Sequence, residues 1–129
     1  MKRLLPLPLC LALAVNGCGG SNSPGPTPNP NPGPSNPYTF TITAAGVNPK
    51  ELTVPPGTQV LFVNQDSRRH DMGSDPHPDH SDCPEINNVG VLNPGVSRPT
   101  ANLNTVRTCG FHDHDRPGDA SLQGRIIVR

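Results

Sequence analysis

Residues 52–66 read LTVPPGTQVLFVNQD, two short apolar runs separated by a proline-glycine turn. Leu52-Thr53-Val54 alternates apolar and polar side chains, and Pro55-Pro56-Gly57 is a strong turn signal. Val60-Leu61-Phe62-Val63 is apolar on both faces, which is typical of a central strand in a β-sandwich. This stretch therefore predicts two strands, the second of them in the interior of a sheet.

Short strand-like runs continue on both sides of this stretch. Further candidates are Tyr38–Thr43, Val89–Leu92, Thr100–Leu103, Val106–Phe111 and Gly124–Val128. Gly and Pro separate them every ten residues or so, and no segment shows a convincing 3.6-residue period. The pattern predicts an all-β, antiparallel β-sandwich, interrupted by one long irregular stretch from Ser67 to Pro84.

Composition limits the class of protein. The chain has 129 residues, with ten Lys+Arg against ten Asp+Glu, so its formal net charge is zero. A nucleic-acid-binding protein needs a basic surface, and we therefore expect no nucleic-acid partner. Eighteen prolines and a hydrophobic fraction of 32% exclude a helical bundle and leave only a modest core.

The first 37 residues have the composition of an export signal and a spacer. Lys2-Arg3 precedes an apolar run, Leu4 to Val15, which ends at Asn16-Gly17-Cys18. Val15–Cys18 resembles a bacterial lipobox, which implies a signal peptide over 1–17 and lipidation of Cys18. The alternative is a plain signal peptide cut nearby, with Cys18 as a free thiol. Residues 18–37 form a proline-rich linker without a core, and residues 38–129 form the domain.

The candidate chemistry of the domain lies in two short windows. All five histidines and both domain cysteines fall within residues 70–83 and 109–114. His112-Asp113-His114 places two imidazoles on one face of an extended strand, with Asp113 on the other face. Pro76 and Pro78 stiffen the loop that carries His77 and His80. This clustering predicts a metal site, and its candidate ligands are His70, His77, His80, His112 and His114.

The arrangement resembles a cupredoxin domain over nearly all of residues 38–129. Leu52-Thr53-Val54, Gly57, Val60–Asp66 and His70 resemble the first half of such a domain. Cys109-x-x-His112, Leu122-x-Gly124 and the closing strand resemble the second half. This resemblance implies a Greek-key sandwich that binds copper. In blue-copper members it implies the type 1 ligand set His70, Cys109 and His112, with Leu122 at the position of the weak axial Met.

A second resemblance concerns the histidine-rich segments. Ser74–His80, Phe111–His114 and Pro117 resemble a bacterial cupredoxin subgroup in which the positions of Cys83 and Cys109 are often aromatic. The resemblance implies a copper site without a thiolate and leaves the two cysteines free to pair. Two cysteines in an oxidising compartment usually do so. We favour a Cys83–Cys109 disulfide, and the alternative is a type 1 blue-copper electron carrier that uses the Cys109 thiolate.

The resulting expectation is a copper-binding lipoprotein of the cell envelope, facing the periplasm or held in the outer membrane. It would act in copper handling or electron transfer, with the membrane and a redox or copper-transfer protein as partners. No hydrolase, nucleotide-binding or haem-attachment motif occurs, so we expect no enzyme. Two alternatives stay open: a copper redox enzyme similar to superoxide dismutase, and a structural sandwich module whose histidines bind zinc or nothing.

Overall fold

The computed structural model of the chain describes residues 36–129. The predicted signal peptide (1–17), the predicted lipidation site Cys18 and the linker up to residue 35 lie outside the described residues. Within residues 36–129, no helix has the length and apolar character needed to cross a membrane.

The described residues form short β-strands joined by turns and two single-turn 3₁₀-helices. The strands are β1 (Thr39–Thr43), β2 (Gly46–Asn48), β3 (Glu51–Val54), β4 (Leu61–Asn64), β5 (His70–Ser74), β6 (Gly90–Leu92), β7 (Ser97–Pro99), β8 (Arg107–Asp113) and β9 (Gly124–Val128). The 3₁₀-helices are Ile86–Asn88 and Ala120–Leu122. The predicted all-β class is confirmed.

Two sheets make up the sandwich. The strand order is β2-β1-β4-β7 in the first sheet and β3-β9-β8-β5-β6 in the second. The predicted β-sandwich is present, and its sheets are mixed rather than antiparallel throughout: each contains one parallel pair, β1 with β4 and β3 with β9. Between β2 and β4 the chain passes through the second sheet as β3. It then returns to the first sheet as β4, which lies beside β1 and parallel to it.

The predicted strands are matched unevenly. Gly124–Val128 is confirmed as β9, and the apolar run at Val60 is confirmed as β4, between β1 and β7. Thr100–Leu103 is not a strand and makes only an isolated bridge between Leu103 and Thr58. The predicted irregular stretch from Ser67 to Pro84 contains β5, which pairs with both β6 and β8.

The core lies between the two sheets. Phe40 of β1 and Phe62 of β4 meet Phe111 of β8, with ring centroids 4.8–5.1 Å apart. All three rings are fully buried, and such tilted and edge-on contacts are favourable aromatic geometries. Because Phe111 faces this core, side chains of β8 that alternate with it face the opposite side of the second sheet.

Candidate metal centre

The outer face of the second sheet carries two of the predicted ligands. β5 and β8 are antiparallel neighbours, with Gly73 in register with His112. His112 alternates with Phe111 and thus faces away from the core, and His114 extends from the same side just beyond the strand end. Its backbone N–H donates to the Asp71 carbonyl at 2.6 Å, which continues the pairing of the two strands. The sequence prediction that His112 and His114 share a face fits this arrangement.

Residues 75–83 form a loop that brings His77 and His80 over this face. The His80 backbone N–H donates to the Pro76 carbonyl at 2.8 Å, and Asn87 Nδ2 donates to the His80 carbonyl, also at 2.8 Å. These bonds hold His80 at a φ of 51°, in the left-handed region that non-glycine residues rarely adopt. The imidazole of His80 then lies against Gly73, where a Cβ on residue 73 would overlap the ring.

Four imidazoles meet at this point. One ring nitrogen from each of His77, His80, His112 and His114 lies within 4.8 Å of the others. His80 stacks on His112 with centroids 5.0 Å apart, and His77 lies 4.9 Å from His114 between centroids. His112 is buried, His80 is half-buried, and His77 and His114 are exposed. The cluster is therefore open to solvent on one side and backed by the sheet on the other.

Hydrogen bonds fix which nitrogens of His112 and His80 are free. Nδ1 of His112 lies 2.6 Å from the Asp75 carboxylate, and Nδ1 of His80 lies 2.9 Å from the Ser74 carbonyl oxygen. These oxygens accept, so in neutral rings both Nδ1 atoms carry the proton and both Nε2 atoms keep a lone pair. His112 Nε2 is buried and has no hydrogen-bond partner, whereas His80 Nε2 contacts His114 Nδ1 at 2.8 Å. Carboxylate or carbonyl acceptors on the distal nitrogen are typical of metal-ligating histidines.

Asp75 reaches His112 because β8 has no side chain beside it. A Cβ on Gly110 would collide with the Asp75 carboxylate. The sequence alone does not separate Asp75 from the other acidic residues that lie among the histidines. The strand glycines Gly73 and Gly110 were a usable signal, since a glycine inside a strand often marks the close approach of another group.

The surroundings of His77 favour its neutral imidazole. Shielding from water, together with the neighbouring rings of His114, His112 and His80, lowers the pKa of His77 below its ordinary value of 6.5. Neutral imidazole is the form that coordinates a metal.

His70 lies apart from this cluster, contrary to the expectation from the sequence. His70 lies two residues before Met72 on β5 and therefore faces the same side of the sheet as that core residue; it is 1% exposed. Its Nδ1 lies 2.8 Å from Asp113 Oδ2 and its Nε2 lies 3.1 Å from Asp66 Oδ2. Both ring nitrogens are thus engaged by carboxylates on the inner face of the sheet.

The alternative type 1 ligand set is not assembled. Cys109 forms a disulfide with Cys83, with their Cα atoms 5.6 Å apart, so the predicted disulfide is confirmed and the thiolate alternative is wrong. Cys109 faces the core, whereas His112 faces outward on the same strand. Leu122, at the predicted axial position, is 1% exposed and belongs to the core.

Comparison with known structures agrees with this architecture. The structure is similar to a purple cupredoxin from Nitrosopumilus maritimus, with a TM-score of 0.53 and 18% identity over 71% of this chain and 99% of that chain. It is similar to amicyanin from Paracoccus versutus, with a TM-score of 0.59 and 15% identity over 76% of this chain and 86% of that chain. The domain has the cupredoxin fold.

The same cupredoxin fold occurs inside a larger protein. A copper-containing nitrite reductase from Thermus scotoductus matches with a TM-score of 0.55 and 23% identity, over 72% of this chain and 22% of that chain. No protein-family model matches the sequence, and no curated protein is similar to it in sequence. The cupredoxin assignment therefore rests on the fold, and the function must be argued from the site.

Proposed function

We propose that this cupredoxin domain binds copper through His77, His80, His112 and His114. The observation that carries the proposal is the Nε2 atom of His112, which is buried without a hydrogen-bond partner on a residue of the four-histidine cluster. A buried polar atom without a partner costs free energy, about 1–3 kcal/mol, unless a ligand satisfies it. A metal ion held by the four ring nitrogens would supply that partner.

The donor set favours copper over other metals. Imidazole suits copper, zinc, iron and nickel, and among divalent first-row ions Cu²⁺ binds nitrogen ligands most strongly. Structural zinc sites are built mainly on thiolates, and both domain cysteines are consumed in the disulfide. The copper-containing nitrite reductase, which shares the fold, supports the same choice.

The site is suited to the transfer of electrons or copper to a partner protein. Copper supplies one-electron chemistry between its cuprous and cupric states, and this chain supplies the ligands and their orientation. Asp75 fixes the tautomer of His112, and Ser74 fixes that of His80. His77 and His114 are exposed, so a partner protein can approach the site from solvent. We therefore propose electron transfer or copper delivery, and not catalysis, as its task.

Copper titration of the metal-free protein tests the proposal. We expect one Cu(II) per chain, a pale absorption spectrum, and nitrogen hyperfine structure in the electron paramagnetic resonance (EPR) spectrum. His112→Gln should lose tight binding, whereas Arg116→Gln, an exposed change two residues beyond His114, should keep it. Absence of copper binding would refute the proposed function. An intense blue colour would refute the all-histidine ligand set, because that colour requires a thiolate.

The envelope location is part of the proposal. Lipidation at Cys18 and the linker up to residue 37 would hold the domain away from a bilayer, in reach of redox or copper-transfer proteins. Membrane fractionation tests this location: the wild-type chain should be found with membranes, and Cys18→Ser should become soluble. A Cys18→Ser chain that stays with the membranes would contradict the lipid anchor.

A further inference from the structure

A buried cluster of three ionisable side chains lies directly behind the histidine site. His70 stands between the carboxylates of Asp66 and Asp113, at 3.1 Å and 2.8 Å. The three side chains are only 1–2% exposed. Charged groups are rarely buried this deeply unless each is paired, and here each carboxylate has His70 as a partner.

The donors around Asp113 show what His70 holds in place. Oδ1 of Asp113 accepts the backbone N–H of Asp71 at 3.1 Å and that of Asp115 at 3.0 Å. Oδ2 accepts Nδ1–H of His70. Asp113 thus joins the start of β5 to the turn that follows His114. In the sequence it lies between His112 and His114, two residues of the histidine cluster.

The other side of His70 is anchored in the connection between β4 and β5. Asp66 Oδ2 accepts Nε–H of Arg68 at 2.9 Å, and its Oδ1 accepts the backbone N–H of Ser67 at 2.7 Å. Its own backbone N–H donates to the side chain of Asn64, the last residue of β4. His70 therefore links a hydrogen-bonded corner at the end of β4 to the end of β8 that carries His112 and His114.

We propose that His70 is a positioning residue for the metal centre, which sets the orientation of His112 and His114 by fixing Asp113 between them. The inference rests on the proposed function, since it concerns the geometry of that site. In an extended segment, the side chain between two outward imidazoles points inward. Anchoring that inward side chain restrains the strand end from which both imidazoles project. His70 acts on the metal from the opposite face of the sheet, without coordinating it.

The experiment compares His70→Gln with Val54→Ala in the full chain. Val54 is buried on β3, the edge strand of the second sheet farthest from β5, so its truncation destabilises the fold away from the site. In the metal-free protein, His70→Gln should accelerate hydrogen exchange at the Asp71 and Asp115 amides about tenfold and shift the ring signals of His112 and His114. Val54→Ala should change neither.

The copper-loaded protein gives the second measurement. His70→Gln should bind Cu(II) at least several-fold more weakly, with altered EPR parameters, because the strand end that carries His112 and His114 is no longer held through Asp113. Val54→Ala should keep the wild-type affinity and spectrum. Wild-type exchange rates and spectrum in folded His70→Gln would overturn the inference and leave the proposed function intact. If the wild-type chain binds no copper, the proposed function fails, and the metal-free measurement decides the role of His70.

A second variant tests the inference if His70→Gln does not fold. Asp113→Asn keeps an oxygen for the Asp71 and Asp115 amides but replaces the carboxylate that faces His70. It should produce the same kind of change in the EPR spectrum. A copper site indistinguishable from wild type in Asp113→Asn would overturn the inference.

Discussion

The carboxylate of Asp75 lies 2.6 Å from Nδ1 of His112, across the gap between the 75–83 loop and β8. The side chain of Asp75 is 44% exposed, whereas that of His112 is 2% exposed. A half-exposed acid thus controls the proton of a buried imidazole. Its removal should change the metal centre much more than the stability of the fold.

Asp75→Ala is expected to weaken Cu(II) binding about 10–100-fold, because His112 loses the acceptor that holds its proton on Nδ1. The free energy of unfolding of the metal-free protein should change by less than about 1 kcal/mol, as for other partly exposed side chains. Competition titration measures the affinity. Asp79→Ala, an exposed change in the same loop, is the control, and an equal loss there would contradict an orienting role for Asp75.

Gly73→Ala is expected to abolish tight copper binding while the sandwich still folds. The added Cβ would overlap the His80 ring and push it out of the cluster. Copper titration and circular dichroism measure the two properties. Gly118→Ala is the matched control, because a Cβ there meets nothing within 4 Å. Wild-type copper affinity in Gly73→Ala would show that His80 is not needed at its observed position.

Removal of the disulfide should destabilise the domain strongly. Cys83 and Cys109 are 26 residues apart, and closing a loop of that length stabilises a protein by about 3.5 kcal/mol in the chain-entropy description. For a domain of this size, the double variant Cys83→Ala/Cys109→Ala should melt about 15–25 °C lower than the oxidised wild type. Scanning calorimetry checks this. An unchanged melting temperature would mean that the bond adds nothing to stability.

Asp66 should contribute to stability above pH 4 and progressively less in acid. Burial alone would raise the pKa of Asp66, but hydrogen bonds from Arg68, His70 and the Ser67 N–H, with the charge of Arg68, lower it from 3.8 to about 2. Between these two values the unfolded chain binds more protons than the folded one, so stability falls as the pH drops through this window.

Urea unfolding of wild type and Asp66→Asn at several pH values tests this dependence. The variant should be less stable at neutral pH, and the difference should shrink as the pH falls from about 4 to about 2. A difference that is independent of pH in that range would show that Asp66 does not titrate as the structure implies.

The sequence predicts those strands that carry a clear pattern of apolar residues. Val60–Val63 and Gly124–Val128 correspond to β4 and β9 because their side chains pack into the core. His70–Ser74 forms β5 although it contains one apolar side chain, since its extended backbone comes from pairing with β6 and β8. Pairing with distant strands is a tertiary effect that no local pattern reports.

The sequence was enough to predict that histidines form the candidate site, but not which of the five histidines take part. Clustering of histidines marked the two windows that supply the four-histidine cluster, and the spacing of His112 and His114 gave their common face. Membership depends on which face of the sheet each residue occupies, and for His70 that required the register of β5 against β8. Side-chain alternation along β8 places Cys109 and His112, three residues apart, on opposite faces of the sheet.

The position of the histidine cluster on the outside of the second sheet separates the candidate site from the packing of the core. The three phenylalanines pack between the sheets, whereas the four imidazoles lie on the opposite side of β5 and β8. The loop is joined to the inner face only by one covalent bond, at Cys83. We therefore expect substitutions of exposed residues in this loop to alter the histidine cluster without repacking the interior, whereas a change at Cys83 affects both.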